Sequence, residues 1–182
     1  TQPNKVLWLD RSLFKDLDIF GTHYPLVVCA LPEMKAWSPE EPALGLELVL
    51  SLQDPSNLGA ILRSADAFGV SQVILLKECA FPFHPKAVRA SSGSSFRVKL
   101  REGPSQKDFS APELLALDMH GESLTDFTWP KDSRLLIGEE GQGVPSHVDA
   151  KKISIPMREG LDSLNAAIAA SIALFSYRSQ IK

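Results

Sequence analysis

Cysteine is scarce in this sequence, with two among 182 residues, Cys29 and Cys79. Both stand in apolar surroundings without metal or redox spacing, so they are expected to be reduced and structural, as in a cytoplasmic protein. The four histidines, His23, His84, His120 and His147, are isolated from one another and form no H-x-x-x-H pair, so no metal is expected. No apolar run approaches the roughly 18 residues of a membrane span, and "TQPNKVLWLDRS" lacks the basic-then-apolar layout of a secretion signal. No membrane partner is expected. Acyl-transfer chemistry lacks its G-x-S-x-G elbow. Nucleotide chemistry lacks both the G-x-G-x-x-G fingerprint and the Walker lysine, which disfavours a nucleotide-binding oxidoreductase.

What is present is the composition of a globular chain, 44% hydrophobic and 23% charged. The length suits one domain with a small appendage. Net charge is −3, yet Lys86, Arg89, Arg97, Lys99 and Arg101 follow one another with no acid between them. A basic strip on an acidic body is a better nucleic-acid signal than the overall balance.

Residues 1–40 differ from the rest. "VLWLDRSLFKDLDIFGTHYPLVVCALPEMKAW" has helical spacing, a turn and a short apolar strand, "PLVVCAL", before the linker "SPEEPALG". It reads as the tail of a separate module. The chain opens at Thr1 without a methionine, so more sequence is expected to have preceded it. From Leu46 onward apolar strands alternate with turns and helices: "LELVLSL", "SQVILLKE", "FRVKL", "LLALDM", "RLLIGE" and "KISIPM". Between the first two, Leu58, Ile61, Leu62, Ala65 and Phe68 fall at helical spacing, with Gly69 as the stop. That βαβ unit predicts a parallel sheet. A last helix is expected from about Asp162 to Ser179, with Leu164, Ile168, Ile172 and Phe175 in one stripe and alanines making its other side thin.

Three segments hold polar residues that a plain core does not require. In "QDPSNLGAILRSADAFG", Arg63 lies about 140° around the helix from Leu58. Gly59 precedes it on the same face, at a cost of roughly 1 kcal/mol against alanine, which makes sense where a ligand or another backbone approaches. Pairing with Asp66 on the surface is the plainer reading of Arg63. In "LLIGEEGQGVP" a buried strand enters a glycine-rich loop, the usual ligand position at the carboxyl ends of parallel strands. In "ISIPMREGLDSLN" a strand, a loop and a helix N-terminus meet, and that terminus either caps itself or holds an electron-rich group.

In this order the three segments resemble the signature motifs of the SpoU (TrmH-type) RNA ribose 2′-O-methyltransferases, in the SPOUT class of knotted methyltransferases. "QDPSNLGAILRSADAFGV", "LLIGEEGQGVP" and "ISIPMREGLDSLNAAIAASIAL" match the first, second and third motif, and "HPKAVRASSGSSFRV" resembles the stretch between the first two. The likeness spans about residues 46–182. It implies a SPOUT methyltransferase domain over residues 41–182, an α/β fold with a parallel sheet, helices on both sides and a C-terminal deep trefoil knot. It implies S-adenosylmethionine as cofactor, a homodimer, and methyl transfer to a ribose 2′-hydroxyl of tRNA or rRNA. Residues 1–40 resemble the end of a small RNA-binding module carried by many relatives.

By position, the resemblance assigns cofactor contacts to Leu117, Met119, Gly138, Glu139, Ile155, Met157 and Leu164. Arg63 matches the residue proposed as base; a phosphate held by Arg63, with the proton leaving through it or water, is an equally physical account. Asn57 and Glu140 would hold the loop geometry and Arg63, while Ser163 and Asn165 would orient the ribose. Lys86, Arg89 and Arg97 are expected to bind RNA. A degenerate SPOUT protein that binds RNA without methylating it is the alternative. The presence of Asn57, Arg63, Glu140, Ser163 and Asn165 argues for an enzyme.

Overall fold

The computed structural model describes residues 5–138, 147–161 and 163–181. The chain divides into two compact units, Thr1–Leu31 and Pro32–Lys182. The first contains one helix, α1 (Arg11–Leu17), started by Asp10, whose carboxylate accepts from the backbone N–H groups of Ser12 and Leu13 at 2.8 and 3.0 Å. The strand expected at "PLVVCAL" does not form. Those residues are unpaired and Val28 is 96% exposed. A strand needs a neighbour to satisfy its backbone, and this segment has none among the described residues. Cys29 is exposed with them, against the expectation of packed surroundings.

The second unit is built on a seven-stranded sheet in which every pairing is parallel. In chain order its elements are β1 (Lys35–Ala36), β2 (Leu46–Leu50), α2 (Pro55–Phe68), β3 (Gln72–Leu75), α3 (Pro85–Ala90), β4 (Leu100–Glu102), β5 (Leu114–Ser123), β6 (Ser133–Ile137), β7 (Lys151–Ser154) and α4 (Ala166–Gln180). The strand order is β1-β4-β3-β2-β6-β5-β7. The central strands β2, β3 and β6 are buried along their whole length, as expected of parallel strands covered on both faces.

One face carries the larger core. Leu48, Leu50, Val73, Leu135 and Ile153 of the sheet pack there against Leu58, Ile61, Leu62 and Ala65 of α2 and against Ala170, Ala173 and Leu174 of α4. The other face packs Val49, Ile74, Ala116 and Leu136 beneath Trp37 and Phe109. Helices were expected on both faces; among the described residues the second is covered by loop segments and one 3-10 turn, Gln106–Asp108.

Three boundaries moved, each for a local reason. "FRVKL" is split between a 3-10 turn, Ser94–Phe96, and β4, because Ser94 and Arg97 are drawn to Asp66 on α2. β7 ends at Ser154, short of Pro156, which has no N–H to give a ladder. α4 starts at Ala166 rather than near Asp162, because Asn165 is its cap, accepting from Ala167 N and Ile168 N at 3.0 and 3.3 Å. Gly59 has the purpose its cost suggested: a Cβ there would lie 2.3 Å from the carbonyl oxygen of Ala87, so its absence lets α3 stack on α2.

Candidate active site

β6, β5 and β7 are adjacent and parallel, so their carboxyl ends open on the same side. Ala116 is level with Leu136 and Leu117 with Ile153, which sets the ends of the three strands side by side. Gly138 follows β6 directly, and Ile155 and Met157 follow β7. Four of the expected cofactor residues, Leu117, Gly138, Ile155 and Met157, thus come from three neighbouring strand ends. All four are half-buried, and Leu117 and Ile155 also pack on the main core. Glu139 and Glu140 lie outside the described residues.

β5 is interrupted here. Ile153 is paired twice, with Leu117 and again with Glu122, so residues 118–121 arch out of the ladder and leave Met119 exposed. A Cβ at Gly121 would lie 2.5 Å from the Lys152 carbonyl carbon, so the arch closes onto β7 only with glycine at that position. Asp118 anchors it, meeting the Lys152 ammonium at 2.8 Å and accepting from His120 N at 2.9 Å. The hydrogen bond from Lys152, more than any other contact, holds the Asp118 carboxyl below the ordinary carboxylate range. Sequence reading missed this arch; Gly121, just past the apolar run, was its only signal.

The first and third motifs meet at helix starts. Asp54 caps α2 by accepting from Asn57 N at 3.0 Å. The Asn57 side-chain carbonyl accepts from the Asn165 amide at 3.0 Å, while the Asn165 carbonyl caps α4. One asparagine therefore caps its own helix and ties that helix to the other. Further along, the hydroxyls of Ser64 and Ser171 lie 2.7 Å apart, so the two helices are joined twice. Leu164 is half-buried and Ser163 exposed on the approach to α4.

Arg63 is exposed on α2 and has no hydrogen-bond or ion-pair partner among the described residues. Asp66, the acid suggested for it, is taken by Arg97 at 2.7 Å and by the Ser94 hydroxyl at 2.8 Å. The Ser94 bond, then Arg97, holds the Asp66 carboxyl below its usual range. Arg63 lines a concavity of about 550 Å³ together with Phe68, Ile168, Ile172 and Phe175. The last three belong to the apolar stripe of α4, which faces outward: Ile168 is 53% and Phe175 62% exposed, whereas the alanine side is buried.

Of the basic strip, Lys86 and Arg89 are exposed on α3, and Arg97 remains largely exposed despite its ion pair. Arg101 leaves the strip: it is nearly buried and pairs with Glu41 at 2.5 Å. Among the described residues there is no cluster of metal-ligating side chains and no helix long and apolar enough to cross a membrane.

The chain matches the model of the SpoU rRNA Methylase family over residues 46–175. It is 44% identical, over 96% of its length, to a Ribosomal RNA small subunit methyltransferase G 2 of Syntrophobacter fumaroxidans, of which it covers 36%. It is 30% identical, over 83% of its length, to the 23S rRNA (guanosine(2553)-2'-O)-methyltransferase of Bacillus subtilis, of which it covers 63%. Among solved structures it resembles the SpoU methyltransferase AviRb of Streptomyces viridochromogenes in complex with AdoMet. The TM-score is 0.67 and the identity 31%, over 78% of this chain and 62% of that one. The chain therefore spans between a third and two thirds of the length of these relatives.

Proposed function

Because the chain belongs to the SpoU rRNA methylase family, we propose that it transfers a methyl group from S-adenosylmethionine to a ribose 2′-hydroxyl of tRNA or rRNA. The observation that carries this reading is the meeting of the three motif segments. β5, β6 and β7 bring two of them to one set of strand ends, and the bond between Asn57 and Asn165 ties in the third.

The donor set fits the cofactor. Half-buried Leu117, Ile155 and Met157 offer apolar walls, and backbone groups at the strand ends around Gly138 offer polar contacts. When bound, S-adenosylmethionine supplies a methyl group activated by its sulfonium. Met119, Glu139 and Leu164 complete the cofactor contacts in this reading.

The chain's own tasks are to orient the ribose and to manage its proton. Arg63, unpaired among the described residues, holds an RNA phosphate beside the reacting hydroxyl, and the proton leaves through that phosphate or water. Ser163 and Asn165 orient the ribose, with Asn57 fixing Asn165. Glu140 steadies the loop and Arg63. Lys86, Arg89 and Arg97 hold phosphates further along the RNA.

The protein works as a homodimer through the outward stripe of α4, and its C-terminal segment forms the family's deep trefoil knot. The return of the chain from edge strand β7 to α4, packed on α2, supports that path. The separate RNA-binding module is the first unit, and the methyltransferase domain starts earlier than residue 41: β1 (Lys35–Ala36) pairs with β4 and Trp37 packs in the core, so residues 32–40 go with the second unit.

S-adenosylhomocysteine is expected to raise the melting temperature, since a ligand selective for the folded state stabilises it. Gly138→Leu abolishes that shift. Arg63→Ala keeps the shift and loses methyl transfer to RNA in single turnover. An unchanged shift in Gly138→Leu, or a wild-type rate in Arg63→Ala, contradicts the reading.

A further inference from the structure

At the far edge of the sheet, beside β4 and β1, lies a second concavity of about 400 Å³, within the size range of small-ligand pockets. Its apolar wall is made by Met34, Phe83, Phe96 and Val98. Phe83 is buried and stacks on Phe96, with centroids 5.4 Å apart and planes 29° from parallel. Phe81 meets Phe83 edge-on at 5.6 Å. The outer two rings of this ladder are left open, Phe81 at 48% and Phe96 at 45% exposed.

An aromatic face held in place by a buried ring behind it is a rigid surface that loses little entropy when something stacks on it. The charges around it are mostly of one sign. Lys35 and Lys99 are exposed lining residues with no ion-pair partner among the described residues, and Glu33 is the one acid among the lining residues. Arg101, the third lining cation, is neutralised by Glu41. Open aromatic rings flanked by unpaired lysines suit a planar π-system attached to an anion. Unpaired nucleotides have that chemistry, and stacking on them is tolerant of sequence.

We propose that this edge pocket receives an unpaired base of the RNA, stacked on Phe96, with Lys35 and Lys99 on the flanking phosphates. The inference rests on the proposed RNA substrate. β4 lies three strand spacings from β6, ~14 Å across the sheet, and the parallel registers set Leu100 level with Leu135, so Lys99 stands four residues, or ~13 Å, short of Gly138 along the strands. The two offsets combine to ~19 Å, roughly six nucleotides at a rise of 3.4 Å. One strand can therefore reach both places. The pocket would make the enzyme select a single-stranded or looped stretch roughly six nucleotides from the modified one, because a base inside a duplex has no free face.

The test uses the 182-residue chain with single-stranded oligoadenylate and, in parallel, an RNA duplex of equal length. Phe96→Ala is expected to weaken oligoadenylate binding about 5- to 150-fold, the range for loss of one base–aromatic stack, without changing the salt slope. Phe96→Trp retains binding. Lys99→Ala lowers the salt slope by about 0.7, one phosphate contact on a single strand. Duplex binding and the S-adenosylhomocysteine melting shift stay as in wild type, the latter also reporting that the variants fold. The inference is overturned if Phe96→Ala binds oligoadenylate within about twofold of wild type, or loses duplex binding equally. It is also overturned if the wild type does not bind oligoadenylate, or if Phe96→Ala abolishes self-association and leaves RNA binding intact. In all these cases the melting shift still judges the methyltransferase reading separately.

Discussion

Arg134 and Glu47 are two charged residues in strands that otherwise read as apolar, and they find each other. Arg134 Nε donates to Glu47 at 2.8 Å with both side chains 2% exposed. Glu47 also accepts from Gln72 at 2.8 Å, and Arg134 donates to the Glu41 carbonyl and lies under Trp37. Breaking a buried pair strands a charge in low dielectric, at a cost of about 3–5 kcal/mol. Arg134→Ala should lose that much stability in urea denaturation. Glu47→Leu combined with Arg134→Met should cost less than either single change, because no charge is left behind. A double variant less stable than both singles would mean that the pair does more than satisfy itself. Neither residue belongs to the motifs, so the melting shift with S-adenosylhomocysteine should persist in the double variant.

At the scale of elements, α2 organises the second unit. Its start bonds to α4 through Asn57, its middle admits α3 at Gly59, and its end holds the turn after α3 through Asp66. Gly59→Ala separates the two ways of valuing a helical glycine. Helix propensity alone favours alanine by roughly 1 kcal/mol. The new methyl, however, meets the Ala87 carbonyl oxygen at 2.3 Å and Ala90 Cβ at 2.7 Å, so α3 must move. Overpacking of this kind costs typically about 1–3 kcal/mol, and net destabilisation is expected. The urea midpoint of Gly59→Ala measures it, and a stabilised variant would show that α3 yields freely. Because α3 carries Lys86 and Arg89, RNA affinity should fall with it while the cofactor shift remains.

At the scale of the whole molecule, the outward stripe of α4 calls for a cover. Ile168, Ile172 and Phe175 stand beside Phe68 around the concavity that Arg63 lines. A second copy seated there would bring the proposed phosphate-holding residue to a subunit seam. We expect a homodimer burying at least ~1,000 Å² in total. Phe175→Glu places a charge at the centre of that seam and should give the mass of one chain in sedimentation, whereas wild type gives two at micromolar concentration. Wild type sedimenting as one chain with cofactor present would count against the dimer.

Much of the sheet was legible because its signals are local. Apolar runs bounded by turns mark β2, β3 and β6, and Asp54, Pro55 and Gly69 bracket α2 by cap chemistry that acts within a turn of chain. The three motif segments were likewise visible as polar residues where a core needs none. The strand at "PLVVCAL" failed, since a strand depends on a partner that its own sequence does not contain. The side of α4 that faces the core was also undecidable from periodicity. Its alanines and its large stripe are both apolar, and only close packing against α2, through Ser64 and Ser171, selects the thin side. The sequence by itself determined the parallel strands and both ends of α2, because hydrophobic patterning and capping act over a few residues. Only the tertiary structure decided that Asn165 would meet Asn57, that Asp66 would go to Arg97 rather than Arg63, and that residues 118–121 would arch onto β7. Each of those contacts joins segments distant along the chain, and their geometry exists only once the strands are in register.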